Sequence, residues 1–288
     1  MKIRTYMRFP QGRGKALTLS YDDGVEQDVR LMGIMDRYGI KGTFNLNSEC
    51  YSAEGTAFPQ GQVHRRMTQK EAVQLYRGTV HEVAAHTATH PFLETLPSTA
   101  VMREILDDRK NLEADFGKIV RGMALPFGTY NDSVIQILKE CGIVYARTTQ
   151  STGGFEMPTD WLRLSATCRH RDPNLMNLAR TFASMEVKNK PKLFYLWGHS
   201  YEFEEDNNWS LIEDFCKCTG GHKDIWYATN LEIYEYWEAY NRLIWSVELD
   251  KVYNPSAIPV WIQFEIEGVC SDTIKVEPGT TVFMPINH

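Results

Sequence analysis

Two adjacent carboxylates, Asp22 and Asp23, stand in the run SYDDG directly after the apolar stretch KALTLSY. Two negative charges held close together repel, and a cation beside them removes that penalty. Successive residues leaving a strand point in different directions, so one carboxylate could bind a metal while its neighbour faces a water. A solvated Asp-Gly turn is the alternative reading of the same residues. Further along, VHEVAAHTATHP carries His81, His86 and His90. His81 and His86 are five positions apart, which excludes the HExxH arrangement of a metalloprotease, whereas His86 and His90 have the i, i+4 spacing. Two neutral imidazoles and one carboxylate make a three-ligand set with a position open for water, suited to zinc or another borderline divalent ion. Surface or packed histidines are the plainer alternative. His199 ends the run KLFYLWGH. An imidazole titrates near neutrality and could protonate a departing amine, although a buried histidine satisfied by backbone would read the same way.

These groups need a scaffold, and apolar β-rich runs alternating with amphipathic helical ones predict a parallel sheet. Strands are expected at 15–21, 42–47, 79–85, 119–125, 143–147, 192–197 and 224–229. Between them, Val25 to Met35 recur at helical spacing, Thr68 and Glu71 match a capping box, a long helix runs from about Ser98 to Gly117, and Asn131 opens a helix to Glu140. Further helices are expected near 172–183 and 209–218, and after Asn230 as a cap. Seven strands, nearly all followed by helix, point to a barrel-like or doubly wound α/β sheet. Asp22 and Asp23 then follow the first strand, Asn45 and Asn47 end the second, His86 follows the third, Pro126 the fourth, Arg147 the fifth and His199 the sixth. All fall at the carboxyl rim, where catalytic groups gather in such folds. Long connections at 48–67 and 148–171 are expected to cover that rim. From about Trp245 the helical period stops and short β-like runs take over, which suggests a barrel at 1–244 and a small β appendage at 245–288.

Bulk properties narrow the function. The chain has 288 residues, 43% of them apolar and 24% charged, with a formal net charge of -6, so a folded globular protein is expected and nucleic acid is not an expected partner. The opening MKIRTYMRFPQGRGK has no apolar run of membrane or signal-peptide length, so no membrane partner and a cytoplasmic location are expected. Six cysteines without CxxC spacing are expected as reduced thiols.

Four segments in order carry a family resemblance. SYDDG resembles the TFDDG element of the polysaccharide deacetylases (NodB-homology, carbohydrate esterase family 4), HEVAAHTATHP is similar to their H-E-x-x-x-H-[ST]-x-x-H stretch, LPFG to the end of R-x-P-[YF]-G, and LWGH to L-x-x-H. The resemblance implies a distorted (β/α)7 barrel and hydrolysis of an N-acetyl group or a related carbon-nitrogen bond. It makes Asp22 the general base, Asp23, His86 and His90 the ligands of one divalent ion, expected to be zinc, and His199 the general acid. It places the Phe127 backbone N–H at the oxyanion, with Leu196 and Trp161 lining the acyl pocket. The family arginine falls at Ala124, and Arg163 or Arg121 is the expected substitute. The D-x-x-D-W element is reduced to Asp160-Trp161. The leading expectation is deacetylation of an N-acetyl sugar or a similar small N-acyl compound. The alternatives are an allantoinase-like or imidase-like amide hydrolase and a catalytically silent carbohydrate-binding module.

Overall fold

A computed structural model describes residues 3–284. The chain opens with β1 (Ile3–Arg8) and then enters the apolar run as β2 (Lys15–Asp22), every residue of which is buried. Next come α1 (Asp28–Arg37), β3 (Gly42–Leu46), α2 (Gln69–Tyr76), β4 (Glu82–Ala85), α3 (Ser98–Phe116), β5 (Gly122–Ala124), α4 (Asp132–Glu140) and β6 (Tyr145–Ser151). Two short strands, β7 (Leu164–Ala166) and β8 (Cys168–Arg169), precede α5 (Leu175–Ser184), β9 (Lys192–Gly198), α6 (Tyr201–Glu205), α7 (Trp209–Thr219), β10 (Ile225–Tyr227) and α8 (Asn230–Asn241).

The parallel sheet runs β7-β6-β5-β4-β3-β2-β9-β8, with β10 on the lower part of β2. Only Thr167 separates β7 from β8. The first pairs with β6 and the second with β9, and the Thr167 N–H donates to Tyr195 O at 2.8 Å. Residues 164–169 therefore act as one bent stave that closes the sheet, giving seven staves in a distorted (β/α)7 barrel of the NodB type. Side chains alternate across it. Leu17, Leu19, Phe44, Leu46, Phe194 and Leu196 pack outward under the helices, while Ala16, Ala84, Tyr145, Leu193, Tyr195 and Trp197 belong to a second cluster.

Local signals set most helix ends. Thr68 and Glu71 form the expected capping box, Asn131 accepts from the Val134 N–H, and Gly117 ends α3 in the left-handed conformation. Asn230 is not a cap. Thr229 and Glu232 form the capping box of α8, which leaves Asn230 as its first residue, fully enclosed. There its amide donates to Tyr195 Oη (2.7 Å) and its Oδ1 accepts from Thr18 (2.8 Å). The expected loop at 148–171 is also largely absent. Its first residues extend β6 and its last third forms the closing stave, because β-branched threonines serve a strand as well as apolar residues do.

Residues after α8 form β11 (Ile244–Trp245), β12 (Lys251–Tyr253), β13 (Val260–Ile266), β14 (Val269–Cys270), β15 (Ile274–Val276) and β16 (Thr281–Phe283). β13 pairs antiparallel with β1 from Ile3↔Ile266 to Arg8↔Trp261, so the N-terminal strand completes the C-terminal β unit. The Tyr236 hydroxyl of α8 ties the unit to the barrel, donating to Arg8 O and accepting from the Trp261 N–H. All six cysteines are free thiols, and among the described residues no helix is long and apolar enough to cross a membrane.

Candidate metal and acid-base site

β2 delivers Asp22 and Asp23 to the rim. Asp22 is 2% exposed. Its Oδ1 accepts from Asn45 Nδ2 at 2.8 Å, and its Oδ2 is paired with the Arg147 guanidinium, 4.0 Å from His86 Nε2 and 3.8 Å from His199 Nε2. Burial acts to raise the Asp22 pKa, but Arg147 and the two histidines outweigh it and hold the carboxyl below its usual range. Asp22 is therefore ionised and surrounded by positive or hydrogen-bonding groups.

Asp23, His86 and His90 offer ligand atoms all within 4.8 Å of one another. The histidines do not share a helix, because β4 ends at Ala85 and α3 starts only at Ser98. A tight turn brings them together instead, with Thr87 and His90 at φ of 66° and 60°, and their rings meet edge to face at 4.7 Å. His86 Nδ1 lies 2.8 Å from Ala124 O, so as a donor to that carbonyl it leaves Nε2 free to ligate. Burial lowers its pKa to about 4, which keeps the ring neutral. Burial likewise lowers His90. Asp23 is depressed well below the carboxylate range, where His64 and Arg66 overcome the effect of burial. One carboxylate and two neutral imidazoles converging in this way suit a divalent cation.

His199 follows β9, with its ring 6.0 Å from that of Trp197. Burial pushes the His199 pKa down, but Glu202, Asp22 and Asp23 prevail and leave it raised. Glu202, one turn later, places Oε2 at 3.5 Å from His199 Nδ1. It is 1% exposed and also pairs with Arg169, with Arg171 at 3.0 Å and with His170 at 2.9 Å. Phe127 lies in the turn after β5 at φ 58°, its ring 4.6 Å from His90 and stacked on Phe92 at 3.7 Å.

The remaining expected residues lie elsewhere. Leu196 is fully buried on the helix side of the sheet, one residue out of phase with the site, and Trp197 takes the position beside His199. Trp161 packs against Tyr234 and Trp237 of α8. Arg163 pairs with Asp132 and Asp160 and lines a separate cavity, while Arg121 pairs with Glu235. Neither reaches Asp22. The arginine that does is Arg147 of the neighbouring stave, whose Cα is the register partner of Ala124. Its guanidinium is 1% exposed and lies 4.5 Å over the Trp197 ring, a contact that fixes it toward Asp22. Asp160 caps a short turn at Leu162 and binds Arg163, so the acid beside His199 is Glu202 instead. The clue to Arg147 in the sequence is an arginine ending an apolar strand; the pairing that makes it face Asp22 is not visible there.

Comparison with known proteins gives no match among curated sequences. Residues 10–146 match the polysaccharide deacetylase family. Among solved structures, a Mycobacterium smegmatis protein classed as a polysaccharide deacetylase superposes with TM-score 0.58 at 16% identity, covering 82% of this chain and 94% of that one. A family 4 carbohydrate esterase from Streptomyces lividans, solved with acetate, gives 0.49 at 14% identity over 74% and 91% of the two chains. The Streptococcus pyogenes deacetylase PplD gives 0.38 at 23% identity over 46% of this chain, which spans only 55% of that protein's length. The family match thus covers three of the four motif segments, and the Mycobacterium smegmatis protein shares the barrel fold, so this part of the chain is similar to the polysaccharide deacetylases of the NodB-homology type.

Proposed function

We propose that the protein is a metal-dependent hydrolase of non-peptide carbon-nitrogen bonds that removes the acyl group of an N-acetyl sugar or a related small N-acyl compound. One observation carries this reading: a buried Asp22, its pKa held down, lies beside both the Asp23, His86 and His90 ligand set and His199, whose pKa is raised. Asp23, His86 and His90 would hold one divalent ion, expected to be zinc. When bound, such an ion supplies Lewis-acid polarisation of the carbonyl and acidifies a water. Asp22, charged and aimed by Arg147 and Asn45, accepts the water's proton at a carboxylate oxygen. The Phe127 N–H faces the developing oxyanion. His199, whose pKa Glu202 raises, donates from Nε2 to the departing nitrogen. Trp197 and Phe127 supply apolar surface for the acyl methyl.

The segment from Ser48 to Met67 favours a small substrate. It folds back beside the first rim turn, with the Met67 N–H donating to Gly24 O (3.0 Å), the Glu26 N–H to Arg65 O (2.9 Å), and His64 reaching Asp23. A cyclic amide on the same groups is the second reading. A product screen on zinc-loaded protein separates the two: acetate from N-acetylglucosamine or its dimer supports deacetylation, whereas ammonia or an opened ring from cyclic amides supports the second. A kcat/KM that climbs steadily beyond about four linked sugars would reject the small site, since remote binding energy would then be reaching the reacting centre.

A further inference from the structure

Asp23 has a backbone conformation that only a few residue types tolerate. Its φ is 84°, where a non-glycine residue is strained unless its surroundings impose it. Those surroundings come from the 48–67 segment. Arg66, 18% exposed, donates from Nη1 to Asp23 O (2.9 Å) and from Nη2 to Asp23 Oδ1 (2.8 Å), so one guanidinium grips both the strained backbone and the carboxylate. Nη1 also donates to Asn47 Oδ1 at 2.8 Å. The Asn47 amide in turn donates to His86 O and, at 2.9 Å, to Thr87 O. A continuous set of hydrogen bonds thus joins the carboxylate ligand to the turn that carries both imidazoles.

We infer that Arg66 is a positioning residue for the metal centre, fixing Asp23 against the His86–His90 turn so that the three donor groups are arranged before an ion arrives. This rests on the metal-site reading above. The planar fork suits the task because it reaches three acceptors at once, which a lysine ammonium on a flexible stem cannot do with the same rigidity. The segment itself is anchored independently of Arg66: Arg65 binds Glu26 and Glu204, and the Gln27 amide donates to Val63 O at 2.7 Å. Loss of the Arg66 head should therefore leave the segment in place and loosen Asp23.

The test measures the Kd for Zn2+ alone, by competition with a chelating indicator, in wild type, Arg66→Met, Arg66→Lys and His90→Ala, together with the thermal midpoint of each metal-free protein. Orienting groups behind metal ligands typically contribute about 10- to 100-fold in affinity. We expect a loss of that size in Arg66→Met, most of it persisting in Arg66→Lys, with kcat within a few-fold of wild type once zinc is saturating. An unchanged Kd in Arg66→Met, with or without a lower thermal midpoint, overturns the inference and leaves the metal site standing. Wild-type protein that takes up no zinc, or His90→Ala that binds it as tightly as wild type, overturns the metal-site reading and the inference with it.

Discussion

At the scale of single residues, the site divides into groups that bind and groups that move protons, and the division is measurable. Asp22→Asn and His199→Ala should retain zinc by elemental analysis yet lose roughly 100- to 10,000-fold in kcat, the range for removing general catalysis. Metal loss in either variant would make that residue a ligand instead. Glu202 tests the acid more finely. It raises the His199 pKa, so the imidazole keeps its proton to higher pH than an isolated histidine, and activity that needs that proton falls as pH rises through the raised value. Glu202→Gln removes the raising charge, and the alkaline fall of kcat/KM should move to lower pH; a profile that stays put would show that Glu202 only packs. The proposed site residues Asp22, Asp23, His86, His90 and His199 stand out in the sequence because each lies in a short motif at or just after a strand end. Arg147 and Glu202 do not. Each lies outside the motif, Arg147 reaching Asp22 through cross-strand register and Glu202 reaching His199 from one helical turn on.

At the scale of elements, the histidine turn is held from behind by α3. Asp108, fully buried, accepts from the His86 N–H (2.9 Å) on one oxygen and from the Ser48 N–H (2.8 Å) on the other. It therefore staples the rim ends of β3 and β4 to one helix. Asp108→Ala leaves the Ser48 N–H without an acceptor and the His86 N–H with Leu46 O alone (2.9 Å), and should cost about 1–3 kcal/mol for the one donor stranded. Asp108→Asn, which keeps one oxygen, should cost less. Urea unfolding of the two variants checks the order, and equal midpoints to wild type would mean that water or a shifted backbone satisfies the Ser48 N–H. The sequence made α3 plain through its apolar face and closing glycine, but a charged residue on the buried side of an otherwise ordinary helix gave no sign of its partners. Likewise the i, i+4 spacing of the histidines suggested the right pair for the wrong reason, since a turn with two positive φ angles, not a helix, brings the rings together.

At the scale of the molecule, seven strand signals pointed to a barrel-like or doubly wound sheet, because parallel staves buried on both faces are rich in apolar and β-branched residues; six of them are staves, and the seventh is β10, off the path on β2. The closing stave escaped notice because LSATCR is short, polar in part and split between two partners. We propose the division at 244/245 with β1 added to the C-terminal unit, and the register supports a specific expectation. A chain of 10–244 should fold and bind zinc, since every proposed ligand lies within it. A chain of 1–244 keeps β1 but strips away β13, leaving an unpaired strand edge with Met7 uncovered, and should melt lower or aggregate more readily. If 10–244 folds but takes up no zinc, the division is wrong.

The pairing of β1 with β13 also bears on how a ribosome would make this protein. Ile3 emerges well ahead of its register partner Ile266, so at about 5–20 residues per second the strand waits roughly 10–50 s for its neighbour. None of the seven barrel staves depends on β1, so the nascent barrel can close during that wait. β1 is then locked only after the barrel is complete, and a ribosome stalled before Val260 would display a finished barrel with β1 still open to chaperones or to a neighbouring nascent chain.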